Sequence, residues 1–237
     1  MSNTYFEFKH FTVHQERCAM KVGTDGCLLG AWAANPLEES FKPHILDVGT
    51  GTGLIALMMA QRYPQVPVTA IEIDPAAAEQ ARENVAQSPF ASRIQVVQGD
   101  FLNMNNENKE TSFSAIVCNP PYFVNSLGCP DPQRMLARHS DQLTFGSFMR
   151  QAKNLLAPEG EVSVILPFDY KHLMEDAATM ACLFPTRTCV VRTSEKKAPR
   201  RCLMAFSNSN KQEVEYTELV IGSPEYAALM HDFYLKM

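Results

Sequence analysis

The stretch that most restricts the fold is Asp47-Val48-Gly49-Thr50-Gly51-Thr52-Gly53, set between His44-Ile45-Leu46 and the apolar segment Leu54 to Tyr63. The short apolar run reads as a buried strand and the longer segment as a helix. Three glycines at alternate positions let the backbone turn tightly and come close to a ligand without Cβ clashes. Such a turn sits at the C-terminal end of its strand, where open α/β sheets bind their ligands.

The rest of the chain keeps this rhythm. Strands are expected at Ile45–Val48, Val68–Ile73, Gln95–Gln98, Ala115–Cys118 and Glu161–Leu166, with helices over Leu54–Tyr63, Pro75–Ser88 and Phe145–Leu156. The alternation implies a parallel sheet with helices on both faces. Before it come an alternating aromatic entry (Phe6, Phe8, Phe11, Val13) and a short helix over Cys27–Ala33, with Thr24 or Asp25 as its cap. Asp25 reads equally well as a ligand contact. After it, Thr188–Thr193 and Cys202–Ser207 read as two strands joined by a basic turn. At 237 residues the chain suits one domain, 1–237, with an N-terminal segment over 1–40 and a catalytic core over 41–237.

Composition removes several function classes. No signal peptide and no apolar run near the roughly 20 residues of a membrane span is visible, so a cytoplasmic protein is expected. The seven cysteines include no CxxC pair and the six histidines are scattered, so neither a disulfide framework nor a metal site is expected. A net charge of −5 speaks against coating nucleic acid but permits a local basic face.

The chemistry is carried by residues at strand ends. Glu72, 25 positions after Asp47, closes the second strand, where a carboxylate can accept hydrogen bonds from both ribose hydroxyls of a nucleoside. NAD and flavin proteins use similar loops, but their GxGxxG spacing would place the third glycine at position 54, which is Leu54. The spacing therefore favours S-adenosylmethionine. Asp100 can bond an adenine amino group, with Phe101 against the ring. The fourth strand runs into Asn119-Pro120-Pro121-Tyr122. The prolines stiffen the turn. The Asn119 side-chain oxygen and the Pro120 carbonyl can accept both protons of one –NH₂ group, which turns the nitrogen lone pair towards an electrophile. Tyr122 offers a stacking face.

In this order, Asp47 to Gly53, Glu72, Gly99-Asp100 and Asn119 to Tyr122 resemble the Rossmann-like class I methyltransferases that act on exocyclic amines. The run Arg17 to Gly26 with Leu28-Leu29-Gly30-Ala31-Trp32 is more specific. With Asn84, Gln87-Ser88-Pro89-Phe90, Ala205-Phe206 and the ending Phe233 to Met237, it resembles the bacterial tRNA(Val) adenine-N6 methyltransferases over nearly the whole chain. The resemblance implies a mostly parallel seven-stranded sheet with an antiparallel C-terminal strand pair, and a monomer acting on a valine tRNA. It implies methyl transfer from S-adenosylmethionine to N6 of the adenine 3′ of the anticodon. Carried over, Asn119, Pro120, Pro121 and Tyr122 form the amine clamp. Asp47, Gly49, Gly51, Gly53, Glu72, Asp100 and Phe101 form the cofactor pocket, with Asp25 near the methionine end and residues 1–40 closing over it.

Two basic groups are expected to meet RNA: Arg134 and Arg138 after the Asn-Pro-Pro-Tyr turn, and Lys196, Lys197, Arg200 and Arg201. The second lies in residues 187–201, a segment of six basic residues and one acidic residue, far along the chain from both motifs. Asn-Pro-Pro-Tyr also suits guanine N2 of ribosomal RNA or a release-factor glutamine. An NAD-linked oxidoreductase and a catalytically silent RNA-binding module are further alternatives.

Overall fold

The computed structural model describes residues 3–18, 20–34, 43–105, 112–120, 143–210 and 213–236. The aromatic entry folds as a hairpin of β1 (Tyr5–Glu7) and β2 (Thr12–His14), followed by α1 (Thr24–Trp32). Then β3 (Ile45–Val48), α2 (Leu54–Arg62), β4 (Val68–Glu72), α3 (Pro75–Ala86), β5 (Ile94–Gln98) and β6 (Phe113–Cys118) alternate as expected. The chain continues through α4 (Phe145–Leu155), β7 (Leu156–Pro167), α5 (Lys171–Met180), β8 (Phe184–Arg192), β9 (Arg201–Ser207), β10 (Glu215–Val220) and α6 (Pro224–Met230).

The large sheet has the order β10-β8-β9-β7-β6-β3-β4-β5. Only β9 runs against the others: it pairs antiparallel with both β7 and β8, while every other pairing in that sheet is parallel. The sheet therefore holds one strand more than the expected seven, β10, added beside β8. Four of the first five residues of β10 are exposed, so it lacks the apolar alternation by which strands are recognised in sequence.

Alternate strand residues divide the core into two faces, as the two-residue period of a strand demands. Ile45, Val68, Ala70, Ala115, Val117 and Leu203 pack with α1, α2 and α6. Leu46, Val48, Ile71, Ile116, Val164 and Met204 pack with α4 and α5. On the first face α1 and α2 approach closely. A Cβ at Gly30 would stand 2.6 Å from Met58 Sδ, and one at Gly26 would stand 3.1 Å from Leu54 Cδ2. Glycines four residues apart on α1 thus bring its first turn beside the start of α2, where the glycine loop ends.

Candidate active site

The parallel strands bring the expected motifs to one edge in a definite order. Val48 is registered opposite Cys118, so the next residues, Gly49 and Asn119, leave the sheet from adjacent strands. Glu72 ends β4 on the other side of β3, opposite Gln98 of β5, and Gly99-Asp100 follows. Along the edge the order is Asp100, Glu72, Gly49, Asn119. Three inter-strand steps cover about 14 Å, a span that accommodates a nucleoside, a short chain and an acceptor amine.

Backbone geometry builds the middle of this edge. Gly49, Gly51 and Gly53 have φ of 67°, 55° and 81°, in the left-handed region that a side chain disfavours. Among the described residues, and apart from its chain neighbours, no atom lies within 4 Å of a Cβ placed on Gly49, so its backbone is open there. Asp47 lies beneath, fully buried. Its Oδ2 accepts from the Thr50 hydroxyl and, at 3.0 Å, from the Ala56 amide in the first turn of α2. Its Oδ1 is buried without a partner among the described residues. Burial drives the Asp47 carboxyl up to about 7, against the lowering effect of the Thr50 and Ala56 hydrogen bonds. The Glu72 carboxylate fastens the turn from the side: Oε2 accepts from Gly51 N–H at 2.9 Å and Oε1 from Asp74 N–H at 3.0 Å. Both oxygens retain further lone pairs.

Asp100 closes the short turn Phe101–Asn103, accepting from Leu102 N–H at 2.9 Å and Asn103 Nδ2 at 3.1 Å. Phe101, expected against the adenine ring, is held in the core. Its ring is 5% exposed and packs in the core, 5.5 Å from Phe148 between centroids. An exposed apolar side chain does follow Glu72 directly in the chain: Ile73, 65% exposed. An isoleucine in a turn between a strand and a proline-led helix was the signal for it.

At the other end, Asn119 holds an acceptor without a partner among the described residues: its Oδ1 is buried with no hydrogen bond to them. Its Nδ2 donates to Met20 Sδ at 3.7 Å. Pro120 is buried beside it. Pro121 and Tyr122, and Arg134 and Arg138, lie outside the described residues.

Met20 belongs to a segment tied down on both sides. Before it, His14 N–H donates to Asn84 Oδ1 at 2.9 Å, and Asn84 Nδ2 donates at 2.8 Å to the carbonyls of His14 and Thr52. One buried amide thus joins the hairpin, α3 and the glycine loop. Gln15 Oε1 accepts from Val22 N–H at 2.7 Å, closing the loop around Met20. Beyond it, Asp25 in the first turn of α1 pairs with Arg201 Nε at 2.7 Å. Asp25 is therefore no cap; Gly23 occupies that position.

That pair also corrects the reading of the basic segment. The turn between β8 and β9 lies at the same sheet edge as Gly49 and Asn119, because β8 runs parallel to β10 and, through β9, in the same sense as β7. Distance along the chain misled. Arg201 opens β9 and meets Asp25 instead of projecting from the turn, whereas Lys196, Lys197 and Arg200 are exposed. Arg187 is spent internally, pairing with Glu161 at 2.7 Å and lying 4.1 Å over the Trp32 ring. Arg192 pairs with Glu218 and donates to the Lys197 carbonyl, which braces the turn.

Comparison with known proteins gives this edge a family. The methyltransferase small domain family matches residues 31–195, more than half of the chain. A tRNA1(Val) (adenine(37)-N6)-methyltransferase of Bacteroides fragilis is 47% identical over 242 residues, covering 100% of both chains. The protein of the same name from Histophilus somni is 41% identical, covering 98% of this chain and 97% of its own. Among solved structures, a predicted O-methyltransferase of Agrobacterium tumefaciens superposes with a TM-score of 0.69 at 18% identity, over 88% of this chain and 96% of its own. A glycopeptide N-methyltransferase complexed with S-adenosyl-L-methionine gives 0.56 at 11% identity, over 80% of this chain and 100% of its own. The last two likenesses concern the fold; the near-complete coverage at high identity concerns the family. The chain belongs to the bacterial tRNA1(Val) (adenine(37)-N6)-methyltransferase family.

Proposed function

We propose that this protein transfers a methyl group from S-adenosylmethionine to the exocyclic N6 of adenine 37 in the anticodon loop of a valine tRNA. The observation that carries the reading is the paired exit of Gly49 and Asn119 from adjacent strands, with the Asn119 acceptor buried and unpartnered. An open glycine backbone beside a vacant acceptor suits a cofactor and an amine that must meet.

The residues along β5, β4 and β3 fit the cofactor. The open backbone at Gly49 accommodates its close approach. Glu72, already held by two backbone amides, keeps lone pairs for the ribose hydroxyls. Ile73 presents an exposed apolar side chain to the adenine, and Asp100 stands one strand further out. Asp25 and the segment before it close the methionine end. Bound there, S-adenosylmethionine supplies a strongly electrophilic methyl group.

The chain's own work is alignment. Asn119 Oδ1 and the Pro120 carbonyl accept hydrogen bonds from the two N6–H groups and draw the nitrogen lone pair out of the ring; one of those protons is released to solvent once N6 has gained the methyl group. Tyr122 stacks the base. Preorganised acceptors of this kind act where charge develops, without reorganising during the step. The target base must leave its stack, which costs a few kcal/mol and least in a loop. Lys196, Lys197 and Arg200, at the same edge, meet phosphates beside it, together with Arg134 and Arg138. The protein acts as a monomer in the cytoplasm.

Nucleoside mass spectrometry of tRNA incubated with the protein and S-adenosylmethionine tests this reading. N6-methyladenosine should appear at position 37 of the valine tRNA. A methylated guanine, or methylation of a release-factor glutamine in a parallel incubation with adenine 37 unchanged, would overturn it.

A further inference from the structure

We propose that Met20 is a positioning residue for the reaction: its thioether holds the Asn119 amide so that Oδ1, and not the –NH₂ group, faces the substrate amine. The proposal rests on the reading of Asn119 as the amine acceptor. It is carried by three observations: the Asn119 Nδ2 donor lies 3.7 Å from Met20 Sδ, Asn119 Oδ1 is buried without a partner among the described residues, and Met20 is a large apolar side chain left 47% exposed at this spot.

The need for an orienting group follows from the chemistry of the amide. Oxygen and nitrogen of an asparagine side chain are nearly equal in size, and only hydrogen bonding decides which points where. With the oxygen towards the pocket, Asn119 accepts an N6 proton. Turned by half a rotation, it would set its own –NH₂ group against that of the substrate, donor against donor. A thioether sulfur accepts weakly and donates nothing. Placed beside Asn119, it favours the rotamer that gives it the –NH₂ group and leaves the oxygen for the substrate.

Met20 can do this because its loop is fixed on both flanks. Gln15, 4% exposed, accepts from Val22 N–H and donates to the Asn3 carbonyl at 2.9 Å. Asn84 ties His14 to Thr52 of the glycine loop, and Asp25 is held by Arg201. The N-terminal segment therefore sets one side chain of the amine site, from a position 99 residues away in sequence.

The test compares Met20→Leu, which keeps apolar bulk but loses the acceptor, with Met20→Gln, whose amide oxygen restores one. Steady-state kinetics on the valine tRNA are read beside calorimetric binding of S-adenosylhomocysteine. Met20→Leu should lower kcat roughly two- to fivefold, the scale of one weak hydrogen bond felt in the transition state. Cofactor affinity should not change, and Met20→Gln should keep more activity than Met20→Leu. In the Asn119→Ala background the Met20→Leu change should have no further effect on kcat. Parental kcat in Met20→Leu overturns the proposal, as does greater activity in Met20→Leu than in Met20→Gln, the order expected of a merely apolar wall. Parental turnover in Asn119→Ala alone is a separate result, which removes the amine-acceptor reading itself.

Discussion

The two halves of the active edge are built differently. Along β3 and β4 the site is made of backbone: three glycines with positive φ, amides held by Glu72, and a helix start held by Asp47. Along β6 and the β8–β9 turn it is made of side chains: Asn119 with Met20 beside it, and the exposed Lys196, Lys197 and Arg200. A substitution in the first half disturbs the local fold together with ligand binding. A substitution in the second can remove one interaction and leave the scaffold standing. Cofactor affinity and turnover should therefore separate cleanly by region.

The strongest challenge to the backbone-built half is Glu72→Ala. It removes the acceptors of Gly51 and Asp74 N–H along with the proposed ribose contacts. Hydrogen bonds to a charged group are worth about 1.5–3 kcal/mol each, so affinity for S-adenosylhomocysteine should fall by more than about tenfold. Calorimetry giving parent and variant the same affinity would remove Glu72 from the site.

A smaller effect is expected on the side-chain half. Lys196, Lys197 and Arg200 replaced together by Ala should weaken tRNA binding and flatten its salt dependence by about 2 in log–log slope, at about 0.7 for each lost single-strand phosphate contact. An unchanged slope would make the turn a solvated face. Arg201 is kept out of this variant because it pairs with Asp25, which is proposed to lie near the methionine end of the cofactor. Arg201→Gln should therefore alter cofactor affinity, an effect the triple variant should lack.

A separate effect, on stability, sharpens the role of Asp47. Its carboxyl is raised by burial from 3.8 to about 7 in the folded protein. A raised folded value means that the native state binds the proton more tightly than the unfolded chain. The associated stability is fully present below about 3.8 and is lost as pH rises through about 7. In urea unfolding, the Asp47→Asn variant should gain on the parent as pH rises from 5 to 8. Parallel pH profiles would show that Asp47 does not titrate there.

Much of this molecule was legible before its coordinates. The strands β3, β4 and β6 are buried throughout, so they stand out as apolar runs, and the glycine loop between β3 and α2 needs residues that only one conformation explains. What escaped was pairing across distance and edge structure. Nothing near Asp25 announces Arg201, 176 residues away, nor does anything near Asn119 announce Met20. Phe101 follows Asp100 in a position that faces a ligand or the core equally well in sequence; in the fold its ring packs against Phe148. The strand β10, largely exposed, carries no alternation to read.

The claim that the edge divides into a cofactor half and an amine half is tested most directly by Asn119→Ala, with turnover on the valine tRNA and S-adenosylhomocysteine affinity measured on the same preparation. On the proposed reading Asn119 accepts the amine without holding the cofactor, so affinity should stay at the parental value while kcat falls below about a tenth, the loss of a transition-state contact worth over 1.4 kcal/mol. Turnover above a tenth of the parent, or a fall in cofactor affinity that matches the fall in turnover, would contradict the division.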